Sequence, residues 1–150
     1  MGSNNLIKTP LSTLFISLIH SAIFAYACPF PPFQLKFHIH VVNNLPNNSN
    51  PLTVHCQSKD TDLGYHTLHV NEEIQWHFCT HIVFRTLFFC HFWWNNKQAV
   101  FDVFKETHDF GVLCQNTIPG EGRHTCHWAV KEDGFYLVFL NAYIYSNNWS

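Results

Sequence analysis

After Cys28 the apolar residues recur at every second position, and a repeat of 3.6 is almost nowhere found. Leu35, Phe37, Ile39 and Val41 alternate with Lys36, His38 and His40; Leu52, Val54 and Cys56 with Thr53 and His55; Ile74, Trp76 and Phe78 with Glu73, Gln75 and His77. Alternation of this kind predicts strands with one face buried and one wet. Thr86 to Trp94 is apolar almost throughout, which predicts a central strand covered on both faces. Lys97 to Phe104, His124 to Val130 and Phe135 to Leu140 bring the count to about seven strands, with Tyr143 to Tyr145 as an eighth at most.

Between these runs the chain carries turn chemistry. Asn95-Asn96 and Asp133-Gly134 suit two-residue hairpins because Asn and Gly tolerate positive φ. Asn43 to Pro51 is rich in Asn and Pro and predicts a polar loop, and Lys105 to Arg123 predicts a long loop pinned by a bridge through Cys114. The fold class that follows is all-β: a small, disulfide-stabilised antiparallel β-sandwich of about seven to eight strands, with a closed barrel as the alternative. Trp76, Phe88 and Trp128 are expected in its core.

The first 27 residues do not belong to that pattern. Lys8 is followed by an apolar stretch from Leu11 to Phe24 and the small-x-small site Ala25-Tyr26-Ala27, as in a cleaved signal peptide. A membrane anchor would need about 20 apolar residues, and Ser12, Thr13, Ser17, His20 and Ser21 interrupt this stretch. Gly2 lacks the Ser or Thr at position 6 that a myristoylation motif requires. The expected organisation is a signal peptide at 1–27 and one domain at 28–150, secreted to the cell exterior with no membrane insertion after cleavage.

Export changes how the cysteines are read. Cys28, Cys56, Cys79, Cys90, Cys114 and Cys126 all fall in the mature part, and an even number there implies disulfides, although spacing does not choose the pairing. Asn47-Asn48-Ser49 is a glycosylation sequon in polar surroundings, so Asn47 is a candidate glycan site. Asn148-Trp149-Ser150 fits the pattern but is a poorer candidate.

Of the 150 residues only 12% are charged and 17% are aromatic, with 15 Phe, so one core is amply supplied. The net charge of -2 falls to -3 once Lys8 is removed, and offers no basic field for nucleic acid. Mature serines are few and none lies in G-x-S-x-G, and no glycine-rich phosphate loop occurs. The histidines, 12 in the full chain, invite a zinc reading around His77-Phe78-Cys79-Thr80-His81, but the spacing fits no zinc motif. Strand parity places His38, His40, His55 and His77 on wet faces. Asp60 and Asp62 fall short of the six to eight oxygens calcium takes and are expected in a solvated loop. Acid/base cleavage of RNA by histidines is disfavoured by the anionic balance. No enzyme activity, metal or cofactor is expected.

Taken in order, Val41-Val42-Asn43-Asn44-Leu45, Leu52-Thr53-Val54-His55-Cys56, Lys59-Asp60-Thr61-Asp62-Leu63-Gly64, Trp76-His77-Phe78, Thr86-Leu87-Phe88-Phe89-Cys90, Phe101-Asp102-Val103-Phe104, Cys126-His127-Trp128 and Glu132-Asp133-Gly134-Phe135-Tyr136 closely resemble the plant self-incompatibility protein homologue family, typified by the poppy stigma S-proteins. The match runs from about Phe37 to Tyr136. The resemblance implies a secreted β-sandwich acting as a protein ligand, recognised in the poppy system by a pollen surface receptor. Family cysteines match Cys56, Cys90, Cys114 and Cys126, which leaves Cys28 and Cys79 for an additional bridge. Asp60, Leu63-Gly64 and Asp133-Gly134 are family hallmarks expected to form turns.

The expected function is therefore that of a monomeric extracellular ligand for a cell-surface protein receptor, in the apoplast. The alternative is a defence module that binds a glycan or small molecule without receptor signalling. Loops on a rigid scaffold carry such contacts, and the candidates are Asn43 to Asn50, Asn95-Asn96-Lys97 and the long loop around Gln115 to Arg123, with Asn44, Asn48, Asn95, Asn96, Lys97, Glu121 and Arg123 singled out within them. Trp93 and Trp94 are candidate partner anchors, with sheet packing as the preferred reading. The histidines add a pH expectation: with reference pKa values near 6.5, full protonation would carry the mature chain to at most about +8, so binding should change in a mildly acidic apoplast.

Overall fold

Among the described residues, period-two spacing is realised as nine strands in two sheets packed face to face. The structure, a computed structural model, describes residues 28, 35–80, 85–106 and 124–150. The expected leader, most of the long loop, and Cys114, Glu121 and Arg123 lie outside these residues. The strands are β1 (Lys36–Asn43), β2 (Leu52–Gln57), β3 (Asp62–Leu68), β4 (Glu73–Cys79), β5 (Leu87–Trp94), β6 (Lys97–Lys105), β7 (Thr125–Lys131), β8 (Gly134–Phe139) and β9 (Ala142–Asn147). One sheet has the order β4-β1-β7-β8-β9, the other β3-β2-β5-β6.

Alternate residues of both sheets meet in the core. From β1 come Phe37, Ile39 and Val41, from β2 Leu52, Val54 and Cys56, from β5 Phe88, Cys90, Phe92 and Trp94, and from β7 Trp128 and Val130. Phe92, Phe104 and Phe135 are fully buried, and each contributes about 2–3 kcal/mol relative to exposure. The one polar group of Trp128 is satisfied across the sandwich, its Nε1 donating to the Val103 carbonyl at 3.0 Å. Trp76 packs against the core from a partly buried position.

Cys56 and Cys90 stand directly opposite one another on β2 and β5 and are bonded, with Cα atoms 4.1 Å apart. Cys28 is bonded to Cys79 at the end of β4. Each link closes a loop long enough to contribute about 4 kcal/mol by the chain-entropy estimate. Cys126 is also disulfide-bonded.

The sandwich departs from the sequence expectation in several places. The ladder between β1 and β7 is parallel, so the five-stranded sheet is mixed and not purely antiparallel. Asp62 to Leu68 is a strand, although Leu63-Gly64 within it was expected to form a turn. The turn is confined to Ser58–Thr61, where Ser58 Oγ accepts the N–H groups of Asp60 and Thr61 at 3.3 and 3.1 Å, and Gly64 sits at φ +74° within a bulge opposite Cys56. Hence nine strands form, not seven or eight. Asn43 ends β1 instead of opening a loop, and it is fully buried. The β7–β8 turn is Glu132-Asp133, because Gly134 already pairs with Lys131 in the ladder. Finally β5 is central but covered on one face only: Phe89, His91 and Trp93 remain half-exposed, while β7 is buried at every position from Thr125 to Val130.

Candidate functional site

Among the described connections of the sandwich, one end gathers several that are rich in Asn. Asn43 is the hub. Its side-chain Nδ2 donates to the Leu68 carbonyl at 2.9 Å, its Oδ1 accepts from the Leu45 N–H at 3.0 Å, and its backbone exchanges bonds with Glu72 and Asn71. The loop after β1 and the turn between β3 and β4 are thus fixed together, with Asn71 at φ 69° closing the turn. The Asn44 N–H donates to the Val130 carbonyl at 2.9 Å, which draws in the end of β7.

Past that anchor the loop rises into solvent. Leu45 is buried, and a turn from Pro46 to Ser49 follows, closed by the Ser49 N–H on the Pro46 carbonyl at 3.1 Å. Asn48 occupies positive φ there, and Asn47 and Asn48 are exposed at its apex. Asn50 Nδ2 then donates to Asn95 Oδ1 at 2.7 Å and joins this loop to the β5–β6 hairpin, whose Asn95 has φ 54°. Lys97 extends the cluster: its Nζ donates to the Glu132 carbonyl at 3.1 Å and lies 5.2 Å from the Trp94 ring centre. Ser150 pairs with Gln98 through backbone bonds in both directions, so the end of the tail lies there too.

Of the contact candidates, Asn48, Asn95, Asn96 and Lys97 share this end, and Asn44 is there but half-buried with its N–H engaged. Glu121 and Arg123 lie outside the described residues. Asn43 and Asn50 bound the loop that the sequence offers for contacts, whereas Asn71 and Glu132 are members of the cluster that sequence reasoning missed. Asn50 and Asn71 carry a signal of sorts in their turn-forming residue type, whereas burial of Asn43 has none.

The remaining candidates lie elsewhere. Asp62 Oδ1 accepts the Gly64 N–H at 2.8 Å and lies 2.6 Å from His55 Nε2; the backbone N–H of Gly64 and then the His55 ring hold its pKa below the usual carboxylate range. It clamps the bulge, and no carboxylate cage for calcium forms with Asp60. Among the described residues no three His, Cys, Asp or Glu side chains converge as metal ligands. Trp94 is buried, while Trp93 lies on the outer face of the four-stranded sheet. There His91 stacks on Trp93 at 3.6 Å, Tyr65 lies 5.7 Å from Trp93, and His55 stacks on Tyr65 at 4.4 Å, an aromatic row across β3, β2 and β5. Tyr65 is 70% exposed.

A mixed β-sandwich held by disulfides places the chain in the class of small, disulfide-stabilised all-β domains. The profile described as plant self-incompatibility protein S1 matches residues 38–149, and the chain belongs to that family. Among Arabidopsis thaliana proteins it is similar to S-protein homolog 5, with 33% identity over 104 residues covering 69% of this chain and 72% of the relative. It is similar also to S-protein homolog 27, with 30% identity over 139 residues covering 90% and 85% of the two chains. A solved structure of a self-incompatibility protein homologue, from a family described as small, highly stable and secreted in plants, superposes with a TM-score of 0.54 at 15% identity, covering 76% of this chain and 94% of that one. The all-β fold and the secreted localisation expected from the sequence agree with this family.

Proposed function

We propose that this protein is a secreted plant ligand recognised by a cell-surface protein receptor, and that the Asn-rich end of the sandwich makes the contact. The observation that carries the reading is the Asn50–Asn95 bond at 2.7 Å, which couples two exposed loops 45 residues apart in sequence into one surface. Loops tied to each other and to a rigid sandwich lose little entropy on binding, so polar contacts made there convert into affinity and specificity. Lys97, held by Trp94 and Glu132, gives that surface a fixed positive charge. A glycan on exposed Asn47 would stand at its rim.

One observation favours a second reading, a glycan-binding module. The row of Tyr65, His55, Trp93 and His91, flanked by Thr53 and Gln98, offers rings and neutral hydrogen-bonding groups on a flat sheet.

The two readings separate in a cell-binding experiment with protein purified from the medium of a secreting host. Saturable binding to intact plant cells that is lost after surface proteolysis and in an Asn50→Ala, Lys97→Ala variant supports the receptor reading. Binding that survives proteolysis and is lost in a Tyr65→Ala, Trp93→Ala variant would replace it with the glycan reading.

A further inference from the structure

We infer that the free edge of β9 pairs with β9 of a second copy of this chain, so that two five-stranded sheets join edge to edge in a symmetric dimer. The sequence expectation of a monomer is revised by this reading.

The inference starts from an unusual stretch of composition. From Gly134 to Ser150 the chain contains no Asp, Glu, Lys, Arg or His. Within it, β9 ends the five-stranded sheet, and its residues Ala142 to Ser146 are all exposed. Leu140, Tyr143, Ile144 and Tyr145 are 58%, 52%, 40% and 48% exposed and account for most of the large exposed apolar side chains. Among the described residues no strand pairs with this edge, and an uncharged edge of aromatic and β-branched residues is a template for another strand. The other edges are guarded: β6 is paired at Gln98 by Ser150 and carries Asp102 and Lys105, β3 carries Asp62 and His66, and β4 carries Glu73 and His77.

Hairpin geometry says which backbone groups are open. The Leu140-Asn141 turn has positive φ at both residues, 46° and 64°, so Phe139 and Ala142 close it as a hydrogen-bonded pair. Alternation then makes Leu137 and Ile144 the next hydrogen-bonded pair, and it turns the N–H and C=O groups of Tyr143 and Tyr145 toward the free edge. Past Tyr145 the register shifts by one residue, which ends the straight stretch and limits any partner to Ala142–Tyr145.

That short stretch is complementary to itself. A two-fold axis through Ile144 sets Tyr143 opposite Tyr145 of the partner subunit on both sides, and each pair exchanges both backbone bonds. The two Ile144 residues meet at the axis with Cα atoms about 4.5 Å apart. Aromatic pairs across strands stabilise such a ladder, and no like charges within the strand oppose it. Lys131, on β7 and so two strands in from this edge, sets its Nζ 3.4 Å from the Tyr143 ring centre and 4.9 Å from that of Tyr136.

The test is sedimentation velocity of the full chain, expressed in a secreting host and purified from the medium, from about 1 µM to about 1 mM, where weak association is measurable. Amide exchange is followed residue by residue over the same range. The expected result is a concentration-dependent dimer in which exchange at Tyr143 and Tyr145 slows with dimer formation. Ile144→Lys should stay monomeric throughout with an unchanged melting temperature. A monomer at every concentration overturns the inference. So does a dimer in which the Tyr143 and Tyr145 amides exchange as fast as at high dilution; this readout on the unmodified protein decides the matter even where the variant fails to fold.

Discussion

The side-chain amide of Asn43 donates to the Leu68 carbonyl at 2.9 Å from a position with no solvent exposure, and so ties the last residue of β1 to the end of β3 in the opposite sheet. Both sides of that amide are used, since Oδ1 also holds the Leu45 N–H. Substitution by Ala orphans a carbonyl and an N–H, each costing about 1–3 kcal/mol when water cannot reach it. We expect Asn43→Ala to lose about 2–4 kcal/mol in urea unfolding. Asn43→Asp, which keeps the acceptor but sets a carboxylate oxygen against Leu68, should be destabilised as well. A shift below about 0.5 kcal/mol, the range of neutral surface substitutions, would remove Asn43 from its place as hub.

Asn95 does two separable things. Its φ of 54° closes the hairpin, and its Oδ1 takes the Asn50 amide. Asn95→Gly keeps the first and deletes the second, so the melting temperature should barely move while binding to cells weakens. Asn95→Ala keeps a Cβ in the left-handed region but lacks the local side-chain hydrogen bonding that lets Asn sit there, at a cost of up to about 1–2 kcal/mol, and should lower both. Equal binding by Asn95→Gly and the unmodified protein would show that the Asn50–Asn95 link plays no part in recognition.

What the sequence disclosed, and what it withheld, follows from the range of the forces involved. Alternation along β1, β2 and β4 reports burial on one face, a local property, and so all-β was legible from spacing alone. β3 was not, because Asp62, Tyr65 and Thr67 are exposed while Leu63, Gly64 and His66 are only half-buried, and a bulge at Gly64 breaks the period. The apolar run of β5 suggested cover on both faces, yet its outward Phe89, His91 and Trp93 stay half-exposed, with His91 stacked on Trp93. The parallel β1–β7 ladder joins residues about 90 apart, and nothing local marks it. The candidate site divides in the same way: Asn48, Asn95 and Asn96 were legible as turn residues, whereas the Asn50–Asn95 contact and the burial of Asn43 depend on tertiary placement.

Gly134 begins β8 where no other residue fits. A Cβ there would lie 2.6 Å from the Asn147 carbonyl oxygen and 2.9 Å from a ring carbon of Tyr145, and φ is +149°. The first contact is with backbone of the neighbouring strand, so β9 would have to shift. Gly134→Ala should therefore cost about 1–3 kcal/mol for the forced displacement, and slow-exchanging amides of β8 should become fast. Full retention of stability in thermal unfolding would show that β9 yields freely.

Asp62 sets the acid limit of one local contact. The Gly64 N–H and then the His55 ring hold its pKa below the ordinary carboxylate value, so the folded state binds the proton less readily than the unfolded chain. A depressed folded pKa contributes stability that is present above the unfolded value near 3.9 and is lost as pH falls through the folded one. Because the carboxylate is exposed, screening keeps the effect small. The expected outcome is that Asp62→Asn lowers the melting temperature slightly at pH 6 and that the difference closes as pH drops through the acid range. A gap that stays constant down to pH 2 would mean that the bulge is held by the Gly64 backbone conformation without help from the charge on Asp62.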